Sequence, residues 1–410
     1  MPPNRSDSSG ILEAAALAEA DRRVHPAVPW WPGAAQALGV WLGSRALLAG
    51  FVSLAGYLIG APEVSRIHDP GSWFLERLTW WDSFHFLRIA DLGYLPPGLG
   101  CCDQAFFPGY PGAIRTLSPL TGGSTTWSAL LVSLLAGAVA AVLLWRLAAE
   151  RAVAAGRDPQ RAGLSAVIFL AVAPYGIFLS AAYSEATFLA FALAAWWAAT
   201  RRHWWAAGLL VAVATAVRIN GVFLAAALAV LYLGQLRADG RWRPRPDVLA
   251  LLAPVVSIGA FFAWLHHRTG SWTAWQDAET IGWHRQNAWP WQGLQAGWHA
   301  LSTADAPDLV VSRTADLATV LAGLALLGVL LWLRRWAEST YLALNLAVLV
   351  CSTVLISSPR YALTWFPGFL LAAELAGHPR LRRMRPLVVA CCAPLAAVVA
   401  LSFSAHQWVA

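Results

Sequence analysis

The chain has 410 residues, of which 58% are hydrophobic and only 12% carry a charge, about half the charged share of an ordinary soluble domain. That balance excludes a soluble enzyme. The formal charge of +7, with no lysine in the sequence, does not point to nucleic acid either, because the arginines stand between apolar runs and read as membrane topology signals.

In chain order, residues 1 to about 33 are polar and proline-bearing. Their one apolar run, Ile11–Ala20, is too short and too acidic for a signal-peptide core, so they read as a cytoplasmic tail. Residues 34–410 read as a single membrane-embedded domain. A first span covers about 34–60, followed by a long loop, 62–124, of the length that is usually functional. Further apolar runs fall at about 125–147, 162–182, 184–200, 204–218, 220–236, 248–267, 315–333, 339–357, 361–376 and 386–404. The expectation is an all-α polytopic membrane protein of about eleven spans. A second long loop, 268–314, carries Trp272, Trp275, Trp283, Trp289, Trp291 and Trp298 and reads as short helices in the headgroup region.

Arginines follow every second span: Arg146, Arg151, Arg157 and Arg161; Arg201 and Arg202; Arg237 to Arg245; Arg334 and Arg335; Arg380 to Arg385, with Arg22 and Arg23 before the first. Those ends are expected in the cytoplasm. The opposite face collects the unusual residues. Loop 62–124 holds Trp80-Trp81-Asp82-Ser83-Phe84-His85-Phe86-Leu87-Arg88, then Asp91 and Asp103. Read as a helix, Asp82, His85 and Arg88 share one side, while Phe84 and Leu87 face another and rest on the membrane surface. A carboxylate, an imidazole and a guanidinium on one face are parts for acid-base chemistry beside an anion; a salt-bridged amphipathic loop helix has the same pattern. Asp103 and Asp91 read as loop acids, Asp103 the better placed of the two.

The same face carries Tyr183-Ser184-Glu185, Arg218-Ile219-Asn220-Gly221 and Ser357-Ser358-Pro359-Arg360-Tyr361. Glu185 stands where apolar spans meet and is either functional or the structural partner of Arg218 or Arg360. Arg218 and Arg360 breach the positive-inside pattern. They bind an anion, a lipid phosphate being the natural one, or they snorkel to the headgroups. Cys101, Cys102, Cys351, Cys391 and Cys392 form no disulfide framework and no zinc pattern, and a bond between Cys101 and Cys102 is not expected. No phosphate loop, dinucleotide fingerprint or His-Glu-x-x-His motif is present, and no acidic cluster for a metal. A carboxylate, a histidine and two arginines on one external face suit an enzyme acting on a lipid phosphate better than a transporter, whose charges gather in repeated halves near the midplane.

Trp81-Asp82-Ser83-Phe84-His85-Phe86-Leu87-Arg88-Ile89-Ala90 with Gly93-Tyr94, followed by Ala105-Phe106-Phe107-Pro108-Gly109-Tyr110-Pro111, resembles the luminal signature of the PIG-V mannosyltransferases. Tyr183 to Phe188, Ala214 to Gly221 and Ser358 to Tyr361 resemble three further blocks of that family, in order. The resemblance implies an integral membrane glycosyltransferase of GT-C type in the plasma membrane, with its N-terminus in the cytoplasm and its site outside. It implies polyprenyl-phosphate mannose as donor, a lipid-linked or extracytoplasmic glycan as acceptor, and no cofactor beyond the donor. Asp82 carries over as the catalytic base of an inverting displacement, with His85 beside it. Arg360, then Arg218, are the expected ligands of the donor phosphate; Glu185, Asn220, Asp103, Tyr361 and Arg88 are expected to line the substrate. A GT-C enzyme using an arabinose or glucose donor, and a lipid or sugar transporter, are the alternatives.

Overall fold

The computed structural model describes residues 29–59, 73–96, 98, 101–240, 243–381 and 383–409. Arg22, Arg23 and most of the expected cytoplasmic tail lie outside these residues. The described chain is helical, with one isolated antiparallel bridge, Asn287 to Ser352, and no strand.

The long apolar stretches form α1 (Trp30–Ile59), α5 (Thr125–Ala154), α9 (Asn220–Ala238), α10 (Ala253–Thr269, entered through a 3₁₀ turn Pro246–Leu252), α13 (Pro307–Trp332) and α17 (Met384–Ser404). Together with their flanking turns these are the six helices, among the described residues, that are long and apolar enough to cross a membrane. Their outward faces stay apolar: Leu47, Tyr57, Val256 and Leu387 are all exposed, which is the surface expected against lipid. The other apolar intervals hold shorter helices: α6 (Pro159–Ala171), α7 (Glu185–Thr200), α8 (Trp204–Val217), α14 (Trp336–Val350) and α16 (Phe366–Ala376). Each of the eleven expected intervals therefore contains a helix, and only six of those reach spanning length among the described residues. Interval 162–182 breaks after α6 into a 3₁₀ turn, Gly176–Leu179. A hydropathy run does not register such a break.

The core lies where α5, α6, α7 and α8 pack on one another, with α1 across α5 and α6, α9 against α14, and α10 against α8. Alanine dominates these contacts, and Ala140, Ala141, Ala148, Ala186, Ala195 and Ala214 are fully buried. Small residues let helix backbones approach closely, which is how helices associate when lipid competes for every apolar side chain.

At one end of the bundle the charges pair among themselves. Arg151 bonds to Glu338 and reaches Glu374 at 3.3 Å, Arg335 bonds to Glu374, and Arg201 joins Arg146 on Glu150. These arginines were expected only as topology signals; they also tie α5, α7, α14 and α16 together. The opposite end carries the short helices α2 (Trp73–Glu76), α3 (Ser83–Leu92), α4 (Gly109–Leu117), α11 (Ala274–Trp283), α12 (Pro290–Ser302) and α15 (Ser358–Ala362). Loop 268–314 thus folds into two short helices, with Trp272, Trp289, Trp291 and Trp298 exposed and Trp275 and Trp283 turned inward onto a cavity.

Candidate active site

Four breaks in the helical bundle meet at this end. The first is the start of α3, where Trp81 takes a left-handed conformation (φ 59°) and Asp82 follows as N-cap. The Asp82 side chain makes no capping bond; it leaves the helix, and its Oδ2 accepts from Arg360 Nη1 at 2.6 Å. The second is the start of α7, where Glu185 is fully buried. The third is the join of α8 and α9, which bends at Arg218, held extended at φ −153°, ψ 145°. Gly221 permits this bend: a Cβ there would lie 2.4 Å from Thr215 Oγ1. The fourth is α15, entered through Ser357 in the left-handed region (φ 63°) and carrying Arg360 and Tyr361 ahead of the apolar helix α16.

These breaks assemble one ion-pair chain. Glu185 Oε1 lies 2.7 Å from Arg218 Nη1 and 3.3 Å from Arg360 Nε. Arg218 Nη1 also donates to Ser184 Oγ at 2.9 Å. The order Asp82–Arg360–Glu185–Arg218 therefore alternates in sign, which is what allows these charges, three of them buried, to coexist. Both structural partners that the sequence left open for Glu185 are present at once. Asn220 Nδ2 donates to Asn345 Oδ1 at 2.6 Å, closing the lower wall.

The charges line a cavity of about 350 Å³. Asp82, Glu185, Asn220, Arg218, Arg360 and Tyr361 all reach it. His85, Arg88 and Asp103 do not; they form a separate cluster behind the wall, with Arg88 and Asp103 buried and His85 half-buried. Arg88 Nε donates to Asp103 Oδ2 at 2.9 Å and to Oδ1 at 3.1 Å, and Arg88 Nη2 bonds to Oδ1. His85 Nδ1 lies 2.8 Å from the same Oδ1, and its ring stacks on Phe106 with centroids 4.6 Å apart. Four expectations are corrected here. Asp103 is no loop acid but a buried anchor, 2% exposed. The face shared by His85 and Arg88 turns to Asp103 and not to Asp82. Leu87, expected on a membrane surface, is in the core. Cys101 and Cys102 are joined by a disulfide, also against expectation, and the Cys101 carbonyl accepts from Arg88 Nη2 at 3.3 Å.

Two charged lining residues carried no mark in the sequence, Glu279 and Arg285. Both come from the tryptophan-rich second loop. Helix α11 lies against the 3₁₀ turn Asp103–Ala105, and Trp275 Nε1 donates to the Ala105 carbonyl at 3.2 Å. It ends at His284 in the left-handed region (φ 55°), and Arg285 then turns into the cavity. Thr353 N donates to the Gln286 carbonyl and Ala288 N to the Cys351 carbonyl, both at 3.0 Å, so this corner is pinned to the end of α14. Burial pushes the Glu279 carboxyl above its ordinary value of 4.5, Arg285 opposing the shift without cancelling it. Among the described residues no group of three or more His, Cys, Asp or Glu side chains is arranged to hold a metal ion.

A buried carboxylate beside arginines, in a cavity walled by helix ends, is an arrangement for deprotonating a hydroxyl next to an anionic leaving group. Residues 60–238 match the family Mannosyltransferase (PIG-V). Within this stretch lie Asp82, Glu185, Arg218 and Asn220; Arg285 and Arg360 lie beyond it. The chain is similar to GPI alpha-1,6-mannosyltransferase 2 of Mus musculus, 34% identical over 208 residues, 47% of this chain and 40% of that protein. It is likewise similar to the Cricetulus griseus protein of that name, 40% identical over 157 residues, and to the Homo sapiens one, 37% over 156; each match covers 36% of this chain and 30% of the relative. The chain thus spans well under half the length of these curated PIG-V-type relatives.

Proposed function

We propose that the chain is an integral membrane mannosyltransferase. It transfers mannose from polyprenyl-phosphate mannose to a hydroxyl of a lipid-linked or extracytoplasmic glycan, in a single inverting displacement. The observation that carries this reading is Asp82: a carboxylate in the stretch similar to mannosyltransferases, lining a cavity ringed by three guanidiniums. In the proposed step the acceptor oxygen attacks the anomeric carbon and passes its proton to Asp82. The bond from the anomeric carbon to the phosphate oxygen breaks, and polyprenyl phosphate leaves with the bonding pair, its charge met by the arginines of the cavity. Arg360 holds Asp82 and Glu185 in place, and Glu185 in turn holds Arg218. His85, bonded to Asp103 and stacked on Phe106, which lines the cavity, is a positioning residue here. The site faces away from the cytoplasm, because the arginine-rich ends lie at the other end of the bundle.

The test is to incubate the purified chain with polyprenyl-phosphate mannose, radiolabelled in the sugar, and a total lipid extract, with labelled arabinose and glucose donors in parallel. The expected result is release of polyprenyl phosphate and label in an acceptor from the mannose donor alone. Label transferred only from another donor would reassign the sugar. Donor bound or moved across a vesicle without cleavage would make the chain a transporter.

A further inference from the structure

The cavity is lined by three carboxylates, Asp82, Glu185 and Glu279, and three guanidiniums, Arg218, Arg285 and Arg360. An anionic group entering a site with such a balance goes to the guanidinium whose charge is least compensated. Arg360 has Asp82 at 2.6 Å and Glu185 at 3.3 Å. Arg218 has Glu185 at 2.7 Å. Arg285 has no carboxylate within hydrogen-bond reach: Glu279 stands 3.7 Å away. Its own hydrogen bonds go to neutral oxygens, Nη1 to the Tyr361 hydroxyl at 2.9 Å and Nη2 to the Ile356 carbonyl at 3.3 Å, while its buried Nε has no partner.

From this geometry we infer that Arg285, carried by the second external loop, is the residue that receives the phosphate of the polyprenyl donor. The inference rests on the donor reading above and changes its first choice, which the sequence had given to Arg360. Tyr361 is the platform. Arg218, Arg285 and Arg360 sit around its ring, with guanidinium carbons 5.4, 5.6 and 5.9 Å from the centroid. Burial alone would push the Tyr361 hydroxyl up; Arg285, Arg360 and Arg218 outweigh it and bring the hydroxyl below its ordinary value. The same surplus of positive potential favours a bound phosphate. The fork of Arg285 is fixed by Tyr361 and Ile356, so little side-chain freedom remains to be lost when an anion docks. Arg360, by contrast, would have to surrender Asp82 to take a phosphate in the same plane, which would release the base from its position.

The experiment is a binding titration of the full chain in nanodiscs with undecaprenyl monophosphate, with inorganic phosphate as a separate arm and melting temperatures measured alongside. Wild type is expected to bind the lipid. Loss of a hydrogen-bonded charge predicts a roughly 10- to 100-fold weaker affinity in Arg285→Gln, and Arg285→Lys should recover part of it. Glu279→Gln removes the nearest opposing charge and should tighten binding, a change that misfolding cannot imitate. Wild-type affinity in Arg285→Gln, or no tightening in a folded Glu279→Gln, with binding lost in Arg360→Gln, would overturn the assignment and leave the donor reading standing. A wild-type chain blind to undecaprenyl monophosphate would overturn both. In the phosphate arm, an affinity in wild type that Arg285→Gln removes shows recognition of the headgroup itself; an affinity that Arg285→Gln leaves intact counts against Arg285.

Discussion

Asp82 and Arg360 are 278 residues apart in the chain and 2.6 Å apart in space. Asp82→Asn keeps the shape of the side chain and removes its basic oxygen. Arg360 retains Glu185, so the fold should survive. Turnover per folded molecule should fall by about 10²–10⁴, the usual share of general-base catalysis, with the melting temperature and donor binding nearly unchanged; a single-turnover assay beside a melt checks it. Glu279 gives a second expectation. Its carboxyl is held above 4.5 by burial against the opposing pull of Arg285, with the charges of Asp82, Arg360 and Arg218 also acting on it. As pH falls through that raised value Glu279 takes a proton and stops offsetting Arg285. Relative to Glu279→Gln, the wild-type affinity for polyprenyl phosphate should therefore rise on acidification, protonation of the phosphate itself being common to both; titrations of the two across the acid range would show it. The charged members of the site divide by how readable they were. Glu185, Arg218 and Arg360 are ionisable groups among apolar spans, where a charge is costly and therefore conspicuous. Glu279 and Arg285 sit in a loop where charges are cheap, and nothing in their spacing tells that α11 turns back onto the cavity.

The elements show a similar division. Helix α3 was legible, and so was the shared face of His85 and Arg88, because neighbours three apart in a helix meet. Which acid they meet was not. Asp82 is the N-cap, so its side chain is free of the helix, and the partner of the face comes from a 3₁₀ turn that follows a loop of tertiary origin. Asp103→Asn tests how much that turn matters. It would leave Arg88 buried without its counter-charge, at a cost of about 3–5 kcal/mol. The expected readout is a large drop in resistance to denaturant, with a smaller effect on the activity of whatever remains folded. Gly109 sits at the start of α4 and backs onto α8. A Cβ there would meet the Ala216 carbonyl carbon and oxygen at 2.7 Å, and backbone cannot step aside as a side-chain tip can. Gly109→Ala should push α8 away just before Arg218, lowering both melting temperature and turnover. Breaks within apolar runs, such as the one after Ala171, remain invisible in the sequence because a broken helix and a continuous one have the same hydropathy.

At the scale of the whole molecule, the charged groups sort into two ends of one bundle. One is the arginine-rich cluster of Arg151, Arg335, Glu338 and Glu374; the other is the cavity. By the positive-inside rule the first is expected in the cytoplasm. A cysteine at Gly240 should then be protected from an impermeant maleimide in intact cells, and one at Gly98 should be labelled, with Cys101 and Cys102 replaced beforehand. Both positions are exposed, so protection reports the membrane and not burial. Labelling at 240 with protection at 98 would invert the sidedness and deny the site an extracytoplasmic donor.

The closing contacts of the cavity come from late in the chain. His406 stacks on Trp81 with ring centroids 4.8 Å apart, Trp408 meets the same ring edge-on at 4.9 Å and lines the cavity, and Arg360 supplies the bond to Asp82. At translation rates of roughly 5–20 residues per second, Arg360 leaves the ribosome some 14–56 s after Asp82. For that interval Asp82 has no Arg360 to pair with. The Asp82 end of α3 therefore completes its contacts only after Arg360, His406 and Trp408 have been made. A ribosome stalled before residue 360 would hold a nascent chain whose candidate site still lacks its link between Asp82 and Glu185.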